Sequence, residues 1–232
     1  MNMLLMSNAI EETVEIIQSD FLLATWETIY VTIITAFLAF VLGLPLGILL
    51  VIGEEGGIRP IPKWLMSGLN WIINILRSIP FLILVILVIP LTRAIVGTSV
   101  GTVASIVPLT IASFPFIARL VEGSLREVDP NLVETALSMG ATTRQLVFKV
   151  MIPESIPSLI SNGTIAMTTI LSYSAMSGII GGGGLGKIAI NYGYYRYKYL
   201  VMLCAVVLLV LLVQIIQTVG TYLTKKLDKR LL

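Results

Sequence analysis

Residues 199–223 read YLVMLCAVVLLVLLVQIIQTVGTYL, with no Asp, Glu, Lys or Arg among them. A helix needs about 20 apolar residues to cross a bilayer core, so this stretch alone is long enough to span. Four more apolar runs precede it, at 21–52, 64–91, 100–118 and 155–180. The 232-residue chain is 56% hydrophobic and 12% charged, roughly half the charged share of an ordinary soluble domain. Its charges cluster between the runs. The pattern predicts an all-α polytopic membrane protein with five transmembrane helices. A second count, of four or six spans, stays open because residues 64–76 could lie along the interface. Run 21–52 exceeds a straight crossing, which implies either tilt or a start outside the core. Pro108 and Pro115 are expected to kink the third span.

Composition also excludes chemistry. A net charge of +2 leaves no basic face for a phosphate backbone, so no nucleic-acid partner is expected. There is no histidine, which removes His metal sites, His-based triads and His pH switches. The single cysteine, Cys204, sits in an apolar run and cannot form an internal disulfide. The first twenty residues carry Glu11, Glu12, Glu15 and Asp20 without Lys or Arg, unlike a signal peptide. Lys and Arg orient the spans. With the N-terminus outside, the inner segments hold Arg59, Lys63, Arg119, Arg126, Arg144, Lys149, Lys225, Lys226, Lys229 and Arg230. The outer ones hold Arg93, Lys187, Arg196 and Lys198, and Arg77 falls within the second span. This bias predicts an outer N-terminus and a cytoplasmic KKLDKR tail.

The longest inner connection, 119–153, is patterned rather than slack. Asp129-Pro130 is a helix start: Asp accepts orphan amides and Pro is pre-set for the first helical position. Leu132, Val133, Ala136 and Leu137 recur at helical spacing, and Gly140 supplies a left-handed stop. Thr142 with Gln145 reads as a capping box opening a second helix, which Pro153 is expected to interrupt. The product is a short helix, a turn and a second helix at the cytoplasmic face.

The spacing Glu134-Thr135-Ala136, three residues, Gly140, nine residues, Val150-Met151-Ile152-Pro153 resembles the signature of ABC importer permeases. Thr135, Val150 and Ile152 depart from that signature by small or volume-conserving changes. The stretches 76–81 (LRSIPF), 106–110 (IVPLT), 115–119 (PFIAR) and 173–176 (YSAM) are similar to methionine importer permeases. The resemblance implies a transmembrane permease domain over 21–225, between an extracytoplasmic segment 1–20 and a tail 226–232, in the bacterial inner membrane. It implies a homodimer, two cytoplasmic ATP-binding subunits carrying ATP and Mg²⁺, and an extracytoplasmic substrate-binding protein. No catalytic residue, cofactor or metal is expected on this chain. Asp129, Pro130, Leu132, Val133, Glu134, Ala136, Leu137, Gly140 and Pro153 would couple it to the ATPase. Glu134 would pair with a basic residue of that partner.

In the fourth span Thr164, Thr168, Ser172 and Met176 form an i, i+4 line, with Thr169, Tyr173 and Ser177 beside it. Close helix packing and pathway lining both explain such residues. The resemblance favours a pathway or gate at Thr168, Ser172, Tyr173, Met176 and Ser177. Gly181–Lys187 comes close to a phosphate-binding loop, but Ile188 stands where Mg²⁺ needs Ser or Thr. It reads as a flexible outer turn. The sequon-like Asn162-Gly163-Thr164 falls inside a span and is discarded. Gly43 and Gly47 fit a packing point or a dimer seam. Arg77 reads as packing or snorkelling, and Tyr192–Tyr199 as an interfacial belt or a docking surface. Alternatives are a permease for another amino acid or small polar molecule, or an ion-coupled secondary transporter. The last usually places acids in its spans, and here only Glu27 and Glu154 come near.

Overall fold

The computed structural model describes residues 13–228; Glu11, Glu12, Lys229 and Arg230 lie outside the described residues. Every regular element among them is helical. In order they are α1 (Thr13–Ile52, with a π turn at Ile17–Phe21), α2 (Lys63–Ser78), α3 (Phe81–Leu87), α4 (Ile89–Val96) and α5 (Thr102–Arg126). Then come α6 (Pro130–Ser138), α7 (Thr143–Ile180), α8 (Gly184–Ile188) running into a π turn at Ala189–Tyr195, and α9 (Tyr199–Leu227). The chain forms two compact units. One takes the chain through Ala36, Pro80–Thr110 and Met167–Ile216; the other takes Phe37–Ile79, Ile111–Ala166 and the chain from Gln217.

Helices α1, α5, α7 and α9 are each long and apolar enough to cross a membrane. On α9 the side chains of Leu203, Val207, Val210, Leu211 and Ile215 are all exposed. So much uncovered Leu, Ile and Val along one helix fits a surface facing lipid or another helix, since water would drive it inward. The remaining apolar run is not one straight helix. Ile79 is extended (φ −76°, ψ 124°), as a residue before proline must be, and Pro80 follows at ψ 135°. The run is therefore a broken pair, α2 and α3, counted as one interrupted span or a re-entrant segment.

Two boundaries differ from the sequence expectation. The third span was expected to end near residue 118, yet α5 continues to Arg126. The charge of Arg119 does not stop the helix because it is bound: Nη1 meets Glu122 at 2.7 Å and Nη2 donates to Asn70 Oδ1 at 2.7 Å. Pro153, expected to interrupt a helix, lies inside α7 instead. The π turn Val147–Met151 just before it explains this. Ile152 N–H bonds Val147 O, five residues back, and the widened turn absorbs the proline's missing donor. The inner connection thus shrinks to 127–142, and its second helix is the first turn of a span.

In the second unit, α1 and α5 approach through Gly43 and Gly47. A Cβ on Gly43 would lie 2.8 Å from Ile117 Cγ2, and one on Gly47 would lie 2.6 Å from Ala118 O. The GxxxG pair is therefore a packing point within the chain. Asn162 is likewise a packing residue, donating to Ser124 Oγ at 2.8 Å. In the first unit, Ile16, Phe21, Ala24, Leu185, Ile188, Val201 and Ala205 form a buried apolar cluster.

Candidate functional site

The second unit holds the coupling candidates. Asp129 caps α6, its Oδ1 accepting the Asn131 N–H at 2.9 Å, and Pro130 takes the first helical position. At the other end Gly140 is left-handed at φ +81°. Gly140 N–H bonds Leu137 O at 2.9 Å and Ala141 N–H bonds Ala136 O at 3.1 Å, which together close a Schellman turn. Thr142 and Gln145 then form the full capping box that starts α7. The helix is closed at both ends by its own side chains and turn.

No residue of α6 is buried. Leu132 and Leu137 are exposed, Val133 and Ala136 half-buried, and Glu134 is exposed without an ion pair among the described residues. Buried Leu125 and Val128 anchor the approach to the helix. Between α6 and the turn after α1 lies a groove of about 460 Å³, lined by Val51, Glu54, Arg126, Val133, Glu134 and Leu137 among others. Met139, at 84% exposure, and Phe148 are large exposed apolar residues that the sequence reading did not single out. Their only signal was position: Met139 stands next to the stop glycine, Phe148 one turn into the following helix. Pro153 sits in α7, away from the α6 turn.

The first unit holds the pathway candidates. The ring of Tyr173 stacks on Phe81 with centroids 4.6 Å apart and planes within 2°. Met176 and Ser172 are exposed and Thr168 is half-buried; Ser172 donates to Thr168 O at 3.1 Å. Ser177 stands apart from them. It is 3% exposed and its hydroxyl donates to Ser174 O at 2.7 Å, so it builds the helix end. Arg77, on α2 in the other unit, is exposed and among the described residues makes no hydrogen bond or ion pair.

The Gly-rich run is not the loose turn its composition suggested. Gly182, Gly183, Gly184, Leu185 and Gly186 are buried. Gly184 N–H donates to Glu27 Oε2 at 2.7 Å, Thr102 Oγ1 to Glu27 Oε1 at 2.9 Å, and Leu185 N–H to Thr28 Oγ1 at 2.9 Å. One backbone N–H of the run and the Thr102 hydroxyl thus cradle the Glu27 carboxyl of the same chain. Glu27→Gln should therefore lose the charge-assisted bond to Gly184 and cost about 1–3 kcal/mol. The expected result is a lower thermal melting point in detergent; a melting point equal to wild type would count against the cradle. Nearby, Tyr192 Oη donates to Asp20 Oδ2 at 2.8 Å. That bond, helped by burial, holds the phenol proton above its ordinary range, and the Arg196 guanidinium 4.9 Å over the ring partly opposes it. Tyr194, Tyr195, Tyr197 and Tyr199 are exposed.

Residues 43–231 match the family model described as "binding-protein-dependent transport system inner membrane component". The chain is 49% identical over 216 residues to a probable D-methionine transport system permease protein from Vibrio cholerae, covering 92% of this chain and 95% of that one. It is 48% identical over 153 residues to the D-methionine transport system permease protein of Escherichia coli K12, covering 66% and 70%. Among solved structures, an inward-facing MetNI methionine ABC transporter matches with TM-score 0.88 and 45% identity over 90% of this chain and 96% of that chain. An amino acid ABC transporter at 18% identity, covering 90% and 93%, shares the fold with TM-score 0.68.

Proposed function

The chain belongs to the binding-protein-dependent transport system inner membrane components, multi-pass permease subunits of ABC importers, and from that premise we propose that its cargo is methionine. It forms the pathway as a homodimer, by alternating access, in the bacterial cytoplasmic membrane. An extracytoplasmic binding protein delivers the substrate, and two cytoplasmic ATPase subunits, which hold ATP and Mg²⁺, drive the cycle. The N-terminus is outside and the tail inside, as the Lys and Arg bias supports. Asp129–Gly140 docks on the ATPase, and Thr168, Ser172, Tyr173 and Met176 line the route.

The observation that carries this reading is α6 itself. It is capped at both ends yet presents Leu132, Leu137 and Met139 uncovered. A helix stiffened at such local expense, with its apolar side open, fits a partner's groove. The ion-coupled alternative needs a free acid within a span. Glu27 is committed to Gly184 and Thr102, Glu122 to two arginines, and Glu154 is not without a partner.

Purified permease, reconstituted with its ATPase and binding protein in vesicles, should take up methionine only with ATP and binding protein, ahead of other amino acids. Uptake driven by an ion gradient without ATP would replace this mechanism. A preference for another amino acid would replace the cargo alone.

A further inference from the structure

A chain of charge crosses the second unit at the base of α6. The Arg126 guanidinium, on the last residue of α5, forks onto both carboxylate oxygens of Glu54 at 2.8 and 2.6 Å. Glu54 lies in the turn that follows α1. The same guanidinium meets Glu122 Oε1 at 3.0 Å, and the other oxygen of Glu122 takes Arg119 Nη1 at 2.7 Å. Arg119 Nη2 continues to Asn70 and Asn74 on α2, at 2.7 and 3.2 Å. Two arginines and two glutamates leave no net charge. Glu122, at the centre, is 13% exposed, and Arg119 is 22% exposed.

Isolated surface ion pairs contribute little. This set differs in two respects: its central carboxylate is shielded from water, and one arginine holds its acid by a bidentate fork, which fixes angle as well as distance. Arg126 also stands only three residues before Asp129, the cap of α6. The contacts of the Arg126 guanidinium therefore lie close to the point where α6 leaves α5.

We infer that Glu54, Glu122, Arg119, Asn70 and Asn74 are positioning residues of the transport cycle: through Arg126 they lock the turn after α1, the end of α5 and helix α2 into one body that moves with α6. A push received by α6 then reaches α2 without being lost in bending at residues 127–128. This rests on the reading of α6 as the ATPase contact. It adds α2, an element outside the recognised motif, to the parts that the motion carries.

Two measurements on the whole transporter test it. Gly68 on α2 and Gly123 on α5 have no neighbouring atom within 4 Å of a Cβ, so spin-labelled cysteines fit there in a Cys204→Ser background. The label distance should be narrow and equal in the nucleotide-free and ATP-trapped complexes, and should broaden in Asn70→Ala/Asn74→Ala, which cuts α2 from Arg119. A wild-type shift of about 5 Å, one helical turn, would overturn the single body. In the second measurement, Glu54→Ala and Asn70→Ala/Asn74→Ala should lower uptake per ATP hydrolysed about fivefold to tenfold, the asparagine variant with assembly and basal hydrolysis unchanged. Asn70→Asp/Asn74→Ala, which keeps the nearer acceptor for Arg119, should restore most of the ratio. Wild-type coupling in the alanine variants would overturn the inference. A wild-type complex without ATP-driven uptake would overturn the functional reading, while the label distances would still decide on the body.

Discussion

Gly140→Val is expected to leave the protein inserted and assembled while lowering uptake per ATP hydrolysed about tenfold or more. Gly140 sits at φ +81°, and a Cβ there would meet nothing within 4 Å. A Cβ is therefore not crowded by this chain, and the cost within it is that of a β-branched residue in the left-handed region, above about 1–2 kcal/mol. The chain can escape it only by leaving that region. Leaving it breaks the Gly140-to-Leu137 and Ala141-to-Ala136 bonds that close α6. The last turn of the helix then frays, and a frayed helix transmits a push poorly. Gly140→Asn is the control, since asparagine tolerates the left-handed region, and it should retain most of the coupling. Uptake and hydrolysis measured together in vesicles decide the matter. Equal coupling in the valine and wild-type proteins would remove α6 as a lever.

Gly186→Ala should do the opposite, destroying the fold of the first unit rather than the coupling. Its added Cβ would clash with the Ala175 carbonyl oxygen and lie 2.5 Å from Ala175 Cα. These are backbone atoms of a long helix and cannot rotate aside. The contact is reciprocal: a Cβ on Gly178 would lie 2.5 Å from the Lys187 nitrogen. Here α7 and α8 touch backbone to backbone. Forcing them apart strains packing by about 1–3 kcal/mol. It also pulls Gly184 and Leu185 off Glu27 and Thr28, adding about 1–3 kcal/mol for each buried group left unbonded. Against a total stability of about 5–15 kcal/mol, such a sum should sharply reduce the folded fraction seen by size exclusion in detergent. Gly123→Ala, with open space at its Cβ, should melt at or slightly above wild type. A Gly186→Ala protein with the wild-type melting point would refute the close approach.

The sequence determined whatever depends on neighbours along the chain. Apolar runs as long as 199–223 fix spans, because no water in a bilayer can satisfy an open backbone. The Asp129-Pro130 cap, the Gly140 stop and the Thr142–Gln145 box are likewise legible, since each is a bond between residues a few positions apart. The motif spacing that identifies the family belongs to the same class. Tertiary structure alone decided the rest. It carried α5 past Arg119, because the partners that bind that charge lie far back in the chain at Asn70 and Asn74. It filled the glycine cradle with Glu27, a residue 157 positions from Gly184. It carried α7 through Pro153 by widening the turn before it, and removed Ser177 from the exposed face by burying it. For Arg119 and the glycine run, a local preference was overruled by an atom that only folding brings near. A sequence states what each group needs and leaves to packing the question of which distant group supplies it.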